Sequence, residues 1–138
     1  MKIAIIGGGA SGLCCAISSA EKAKAIGAKA EIVIYEAKDR VGKKILATGN
    51  GRCNMLNMGA TADDYSSPSF VRAVLSRFSA DYPRHFFEGI GLYTRQDEEG
   101  RVYPLSNQAT SVLDVLRMEC ERLGVKTVCE GEWRDSCS

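Results

Sequence analysis

Three consecutive glycines, Gly7-Gly8-Gly9, interrupt an apolar run, Ile3-Ala4-Ile5-Ile6, and open an alanine-rich segment that lacks proline. A run so short and so β-branched reads as a buried strand of a parallel sheet. Residues 11–25 read as a helix, with Leu13, Ile17 and Ala20 on one face and Glu21, Lys22 and Lys24 as polar cover. Gly27 stands where such a helix takes its C-terminal cap. Residues 31–36, with Ile32-Val33-Ile34-Tyr35 at their centre, are the second buried strand. Strand, helix and strand within the first 36 residues make a βαβ unit, so the fold class is α/β and Rossmann-like.

The glycines carry a spacing as well as a break. Gly7-Gly8-Gly9-Ala10-Ser11-Gly12 satisfies G-x-G-x-x-G, and Ala16 extends the small-residue pattern. Gly7 permits the tight turn out of the strand, Gly9 lets a pyrophosphate approach the backbone, and Gly12 with Ala16 lets the helix pack closely. The helix that begins near Ser11 aims free amides and the positive end of its dipole at the phosphates. Glu36 closes the second strand, where a carboxylate accepts hydrogen bonds from both ribose hydroxyls of an adenosine and repels a 2′-phosphate. An adenine dinucleotide without that phosphate is expected, and the fingerprint by itself leaves FAD and NAD both open.

Residues 37–60 combine glycines, cations and asparagines with little periodicity, and a loop this long in a compact domain is usually functional. Gly42-Lys43-Lys44 and Thr48-Gly49-Asn50-Gly51-Arg52-Cys53-Asn54 place flexible backbone and cations where they can fold over a long dinucleotide, which moves the choice toward FAD. Ser67-Pro68 predicts a helix start, followed by an apolar face of Phe70, Val71, Val74, Leu75 and Phe78. A short helix over 81–88 stops at Gly89, and residues 92–94 and 101–103 flank an acidic turn as a hairpin. The last helix is expected from near Ser106 to Gly124, with Ala109, Val112, Leu113, Leu116, Cys120 and Leu123 on one face, and a third strand follows over 125–129.

A chain of 138 residues suits one domain with a real core. A net charge of +1 supplies no field toward nucleic acid or anionic lipid, and the basic residues Lys43, Lys44 and Arg52 come without an aromatic stacking platform. Six cysteines without a C-x-x-C pair and a single histidine argue against zinc and for free thiols in a reducing cytoplasm. The run 3–6 is too short for a signal peptide, and no stretch reaches the roughly 20 apolar residues of a membrane span. His85, beside Phe86 and Phe87, reads as a packing residue, as do Cys14 and Cys15, while Cys53 lacks a neighbouring cysteine for a redox pair.

The glycine loop, Glu36, and the run Gly42-Lys43-Lys44-Ile45-Leu46-Ala47-Thr48-Gly49-Asn50-Gly51-Arg52-Cys53-Asn54 together resemble the BaiN/YhiN-type, or aminoacetone-oxidase-like, NAD(P)/FAD-dependent oxidoreductases. Gly100-Arg101-Val102-Tyr103-Pro104-Leu105-Ser106 and the segment 112–116 match as well, so the resemblance runs to about residue 132. It implies FAD held in an extended pose. Gly7, Gly9, Ala10, Ser11 and Gly12 would meet the pyrophosphate, and Glu36 the adenine ribose. Gly42, Lys44, Thr48, Gly49, Asn50, Gly51, Arg52 and Asn54 would line the way to the flavin. It further implies a redox role with NAD(P)H as electron donor of the complete enzyme, a small-molecule substrate, and a Rossmann-like fold that is incomplete beside the full flavoproteins. Residues 1–132 are then the N-terminal part of an FAD-binding domain and 133–138, from Trp133, a divergent tail. The same residues also suit a non-catalytic dinucleotide module or a truncated inactive fragment.

Overall fold

The structure is a computed structural model that describes residues 1–79 and 81–130. Along the chain run β1 (Lys2–Ile6), α1 (Ala10–Ala25), β2 (Glu31–Glu36), α2 (Lys43–Ala47), a 3-10 turn (Thr48–Gly51) and β3 (Leu56–Asn57). After these come a second 3-10 turn (Ala62–Asp64), α3 (Pro68–Leu75), α4 (Asp81–Gly89), β4 (Thr94–Gln96), β5 (Arg101–Pro104), α5 (Ala109–Arg122) and β6 (Lys126–Cys129). The chain divides into two compact units, one of residues Met1–Leu46 with Leu113–Ser138, the other of Ala47–Val112.

The first unit is the expected βαβ, extended by a third strand. Its sheet is parallel in the order β1-β2-β6, with Ile3 beside Ile32, Ile5 beside Ile34, and Tyr35 beside Val128. That register puts Ile5, Ile32 and Ile34 on one face, and all three are buried. α1 packs on the sheet through its buried Leu13, Ala16, Ile17 and Ala20, and the buried Cys120 of α5 reaches the Leu13 carbonyl with its thiol at 3.9 Å. Each fully buried Leu or Ile contributes about 1.5–3 kcal/mol relative to exposure. α1 ends as the sequence indicates: Gly27 has φ +67°, its amide donates to Lys24 and that of Ala28 to Ala23. This pair of bonds is the Schellman arrangement, which needs a residue tolerant of the left-handed region. The opposite sheet face holds Ala4, Ile6, Val33, Tyr35 and Val128, of which Ile6 is 64% and Val128 43% exposed.

The second unit is built on an antiparallel sheet, β3-β5-β4, around the buried Val102 and Tyr103. The predicted hairpin is β4–β5. Asp97 Oδ1 accepts the amides of Glu99 (3.0 Å) and Arg101 (2.9 Å), an Asx-type turn that Gly100 completes at φ +80°.

Several expectations change. The long loop over 37–60 contains α2, a 3-10 turn and β3, elements too short to show a period in sequence. The helical face of Phe70, Val74, Leu75 and Phe78 exists, yet all four are exposed and neither α3 nor α4 buries a residue. Amphipathic spacing identifies an apolar face without identifying what covers it. α5 starts at Ala109, because Asn107 sits at φ +59° and keeps the preceding turn out of the helix. His85 and Cys15 are exposed, so neither is a packing residue. Cys14 is half-buried, and desolvation, then Cys120 and Cys15, push its thiol up to about 11. The segment around Trp133 lies outside the described residues.

Candidate functional site

The glycine turn stands at the C-terminal end of β1, where open α/β sheets take their ligands. Gly7 has φ +95°, and its amide donates to the Tyr35 carbonyl at 2.8 Å, which ties the turn to β2. A Cβ on Gly12 would stand 1.9 Å from the Gly7 carbonyl oxygen, so only glycine allows α1 to start this close to the strand. Gly9 is the helix N-cap in an extended conformation, and a Cβ there meets nothing within 4 Å. Among the described residues no side chain caps α1 and no acidic residue lies in its first turn. The first intrahelical bond runs from Leu13 to the Gly9 carbonyl, which leaves the amides of Ala10, Ser11 and Gly12 open at the positive end of a 16-residue helix.

Glu36 reaches back to this turn. Its Oε2 accepts the Gly8 amide at 2.7 Å and its Oε1 the Lys38 amide at 2.9 Å. These bonds, that of Lys38 first and that of Gly8 next, hold the carboxyl below its ordinary value of 4.5. The side chain is therefore an anion at neutral pH. Two backbone donors leave further lone pairs on each oxygen for hydroxyl donors. Gly8 is the residue that sequence reasoning passed over: its Cβ would strike Val41 at 2.4 Å and crowd Glu36 at 3.2 Å. The x of G-x-G carries no signal in the motif, so only the fold reveals the constraint.

Gly42 is buried at φ +74°, and its amide donates to the Gly8 carbonyl at 2.7 Å. A Cβ there would meet Leu113 at 2.1 Å, so Gly42 braces the glycine turn from behind. Lys44 is exposed on α2, while its neighbour Lys43 pairs with Asp39 at 2.5 Å. Lys38, Val41 and Glu130, whose amide donates to the Lys38 carbonyl at 3.0 Å, complete this end of the sheet and were not anticipated.

In the second unit the run Thr48 to Asn54 is wound tightly. Gly49, Asn50, Gly51 and Cys53 all have positive φ, at 56°, 56°, 81° and 57°. The Cys53 amide donates to Thr48 and the Arg52 amide to Gly49, while the Arg52 guanidinium lies 4.8 Å over the Tyr103 ring. A left-handed non-glycine residue such as Cys53 is uncommon, and such strain clusters at functional sites. The Cys53 thiol is buried and unbonded to another cysteine. A Cβ on Gly49 would lie 2.4 Å from the Asn54 amide nitrogen. Gly49→Ala is expected to cost about 2 kcal/mol in thermal or urea unfolding, from the clash and the left-handed backbone together.

A parallel sheet, a glycine turn into a helix and a carboxylate at the next strand end define a Rossmann-type module. The family described as HI0933-like protein Rossmann domain matches residues 1–137, and the chain belongs to it. It is similar to a 3-dehydro-bile acid delta(4,6)-reductase of Clostridium scindens, with 46% identity over 127 residues, 91% of this chain and 30% of that protein. It is also similar to a ribosomal RNA dihydrouridine synthase of Haemophilus influenzae, at 30% identity over 93% of this chain and 31% of that protein. The chain thus spans about a third of the length of these curated relatives. Among solved structures, Thermovibrio ammonificans THI4 shares the fold, with a TM-score of 0.59 at 18% identity over 93% of this chain and 38% of that one. No helix among the described residues is long and apolar enough to cross a membrane.

Proposed function

We propose that this chain is the FAD-binding portion of an NAD(P)/FAD-dependent oxidoreductase. The observation that carries the reading is the pairing of open α1 amides with an anionic Glu36 across the Gly8 hydrogen bond. The first suits a pyrophosphate and the second a free ribose diol. In this reading Gly7, Gly9, Ala10, Ser11 and Gly12 form the phosphate cradle, Glu36 holds the ribose, and Gly42 fixes the cradle's shape. Lys44 and the loop residues Thr48, Gly49, Asn50, Gly51, Arg52 and Asn54 are assigned to the flavin part of the cofactor on the resemblance of their sequence alone. A bound flavin supplies the electron transfer, and the protein supplies position and electrostatics.

The choice of FAD over NAD rests on the 48–54 run, whose sequence resembles that of FAD-dependent oxidoreductases, and on the likeness to a reductase. The substrate is proposed to be a small molecule recognised outside this module. Identity is 46% to the relative named for a bile acid against 30% to one named for ribosomal RNA, and a net charge of +1 offers no track for a phosphate backbone. The reading places the chain in the cytoplasm, where Cys14, Cys15, Cys53, Cys120 and Cys129 stay as free thiols.

The test is titration of the purified chain with FAD and with NAD, followed by flavin fluorescence and calorimetry. Saturable FAD binding with NAD at least about tenfold weaker, near 1.4 kcal/mol, supports the proposal. A preference for NAD supports a non-catalytic dinucleotide module, and absence of binding to either marks an inactive fragment.

A further inference from the structure

We propose that the α3–α4 face of the second unit is a self-association surface, and that its occupant is a second copy of this chain. Phe70, Val74 and Phe78 recur every four residues, so they form one stripe along α3. The stripe outlasts the helix, since the Phe78 amide still donates to the Val74 carbonyl at 3.0 Å. It then passes to α4, because the Phe78 and Tyr82 rings stand 4.9 Å apart, centroid to centroid. Phe70 is 69%, Phe78 45% and Tyr82 53% exposed, and Val74 and Leu75 beside them are exposed as well. Helices of 8 and 9 residues are marginal in water unless an apolar face is packed, and neither of these has a buried residue. The face is therefore built for a cover that one copy of the chain does not supply.

Charge decides what that cover is. Over residues 61–89 three arginines meet four carboxylates, so the face has no positive excess for an anionic lipid surface or a nucleic acid. Most of these charges are already matched: Arg72 pairs with Asp63 at 3.0 Å and Arg84 with Glu88 at 3.1 Å. Asp64 is turned onto Thr61, whose amide and hydroxyl it accepts. That leaves Arg77 and Asp81, which have no ion pair among the described residues. They border the ring pair, Arg77 immediately before Phe78 and Asp81 immediately before Tyr82. A surface with one free cation, one free anion and an apolar centre is complementary to itself. In a two-fold dimer the contact is isologous, so Arg77 of each copy meets Asp81 of the other while the rings pack near the axis. The three rings leave roughly 300 Å² open per copy, taking about 150–250 Å² for a whole aromatic side chain. With Val74, Leu75 and a polar rim this approaches the low end of specific interfaces, about 1,200 Å² in total, so a reversible dimer of micromolar strength is expected.

The experiment is sedimentation equilibrium of the chain across the micromolar range, with charge-exchange variants. The native chain is expected to dimerise reversibly. Phe70→Lys/Phe78→Lys should weaken the dimer at least about 100-fold, and Met118→Lys, on the exposed surface of α5, should leave it unchanged. Arg77→Asp and Asp81→Arg should each weaken their own dimer at least about tenfold, because like charges then face each other at both contacts. An equimolar mixture of these two single variants should dimerise as the native chain does, since each mixed pair restores two contacts of opposite sign. A fold role for either residue would not be rescued by mixing. A native chain that stays monomeric throughout the range overturns the proposal and leaves the face to a further stretch of a longer chain or to a different protein. So does a dimer indifferent to Phe70→Lys/Phe78→Lys, or a mixture no more dimeric than its separate components. Should the phenylalanine variant fail to fold, the mixture still decides. None of these readouts uses a dinucleotide, so this inference and the cofactor reading fail separately.

Discussion

Gly12→Ala is expected to unfold the chain at markedly lower denaturant and to abolish dinucleotide binding, whereas Gly9→Ala should abolish binding and leave stability intact. The two glycines belong to one motif and differ in what surrounds them. A Cβ at position 12 would stand 1.9 Å from a backbone carbonyl oxygen, which cannot rotate away as a side chain would. Either α1 or the β1 turn must shift, and overpacking of this kind costs about 3 kcal/mol. The displaced turn also loses the hydrogen bond between the Gly7 amide and Tyr35. At position 9 the backbone is extended, at φ −77°, which alanine adopts freely, and the space beyond is open. The gain from a stiffer unfolded chain and the small loss at the N-cap offset within about 0.5 kcal/mol. What Gly9→Ala adds is a methyl group in the open space that the proposed site reserves for a pyrophosphate. A fall of about 100-fold in affinity, near 2.7 kcal/mol, is the expected result by calorimetry. Undiminished binding by Gly9→Ala would place the ligand elsewhere.

The contrast also shows why so much of the first unit is legible in sequence. Gly7 is constrained by its positive φ, Gly12 by contact with the Gly7 carbonyl and Ala16 by complete burial, all within the βαβ unit, so the constraint is local in sequence and the motif records it. Glu31 to Glu36 reads as a strand because it is uniformly β-branched or aromatic between polar ends, and its boundaries agree with the structure. The Schellman end at Gly27 follows from glycine's freedom at positive φ.

Less legible are features whose cause lies far along the chain. Gly42 needs to be glycine because of Leu113, about seventy residues on, and Gly8 because of Val41 and Glu36. The order β1-β2-β6 could not be read, since the third strand is separated from the second by the whole of the second unit. The left-handed run at Gly49, Asn50, Gly51 and Cys53 was visible only as glycines and an asparagine; Cys53 carries no such hint in its type. Periodicity named Phe70, Val74 and Phe78 as one face and had no means of telling that they stand exposed.

Glu36→Gln should weaken dinucleotide binding about 30-fold and erase the discrimination against a 2′-phosphate, while costing about 1 kcal/mol of stability. The carboxylate accepts one backbone amide on each oxygen, from Gly8 and from Lys38. Glutamine turns one of those acceptors into a donor, so one amide loses its partner and one ribose hydroxyl faces a donor in place of an acceptor. Adenosine 5′-phosphate and adenosine 2′,5′-bisphosphate are suitable probes, because FAD and NAD share the first. The native chain should prefer the former, and the variant should accept both. The pH dependence follows from the same bonds. The amides of Lys38 and Gly8 lower the folded pKa of Glu36 below 4.5, so its contribution is fully present above that value. It is lost as pH falls through the lowered folded pKa. Native stability and the native–variant difference should thus stay level from neutral pH to about 5 and converge only in more acid solution. A difference already shrinking between about pH 6 and 7 would mean that Glu36 is not held as an anion by these two amides, and the ribose assignment would lose its electrostatic basis.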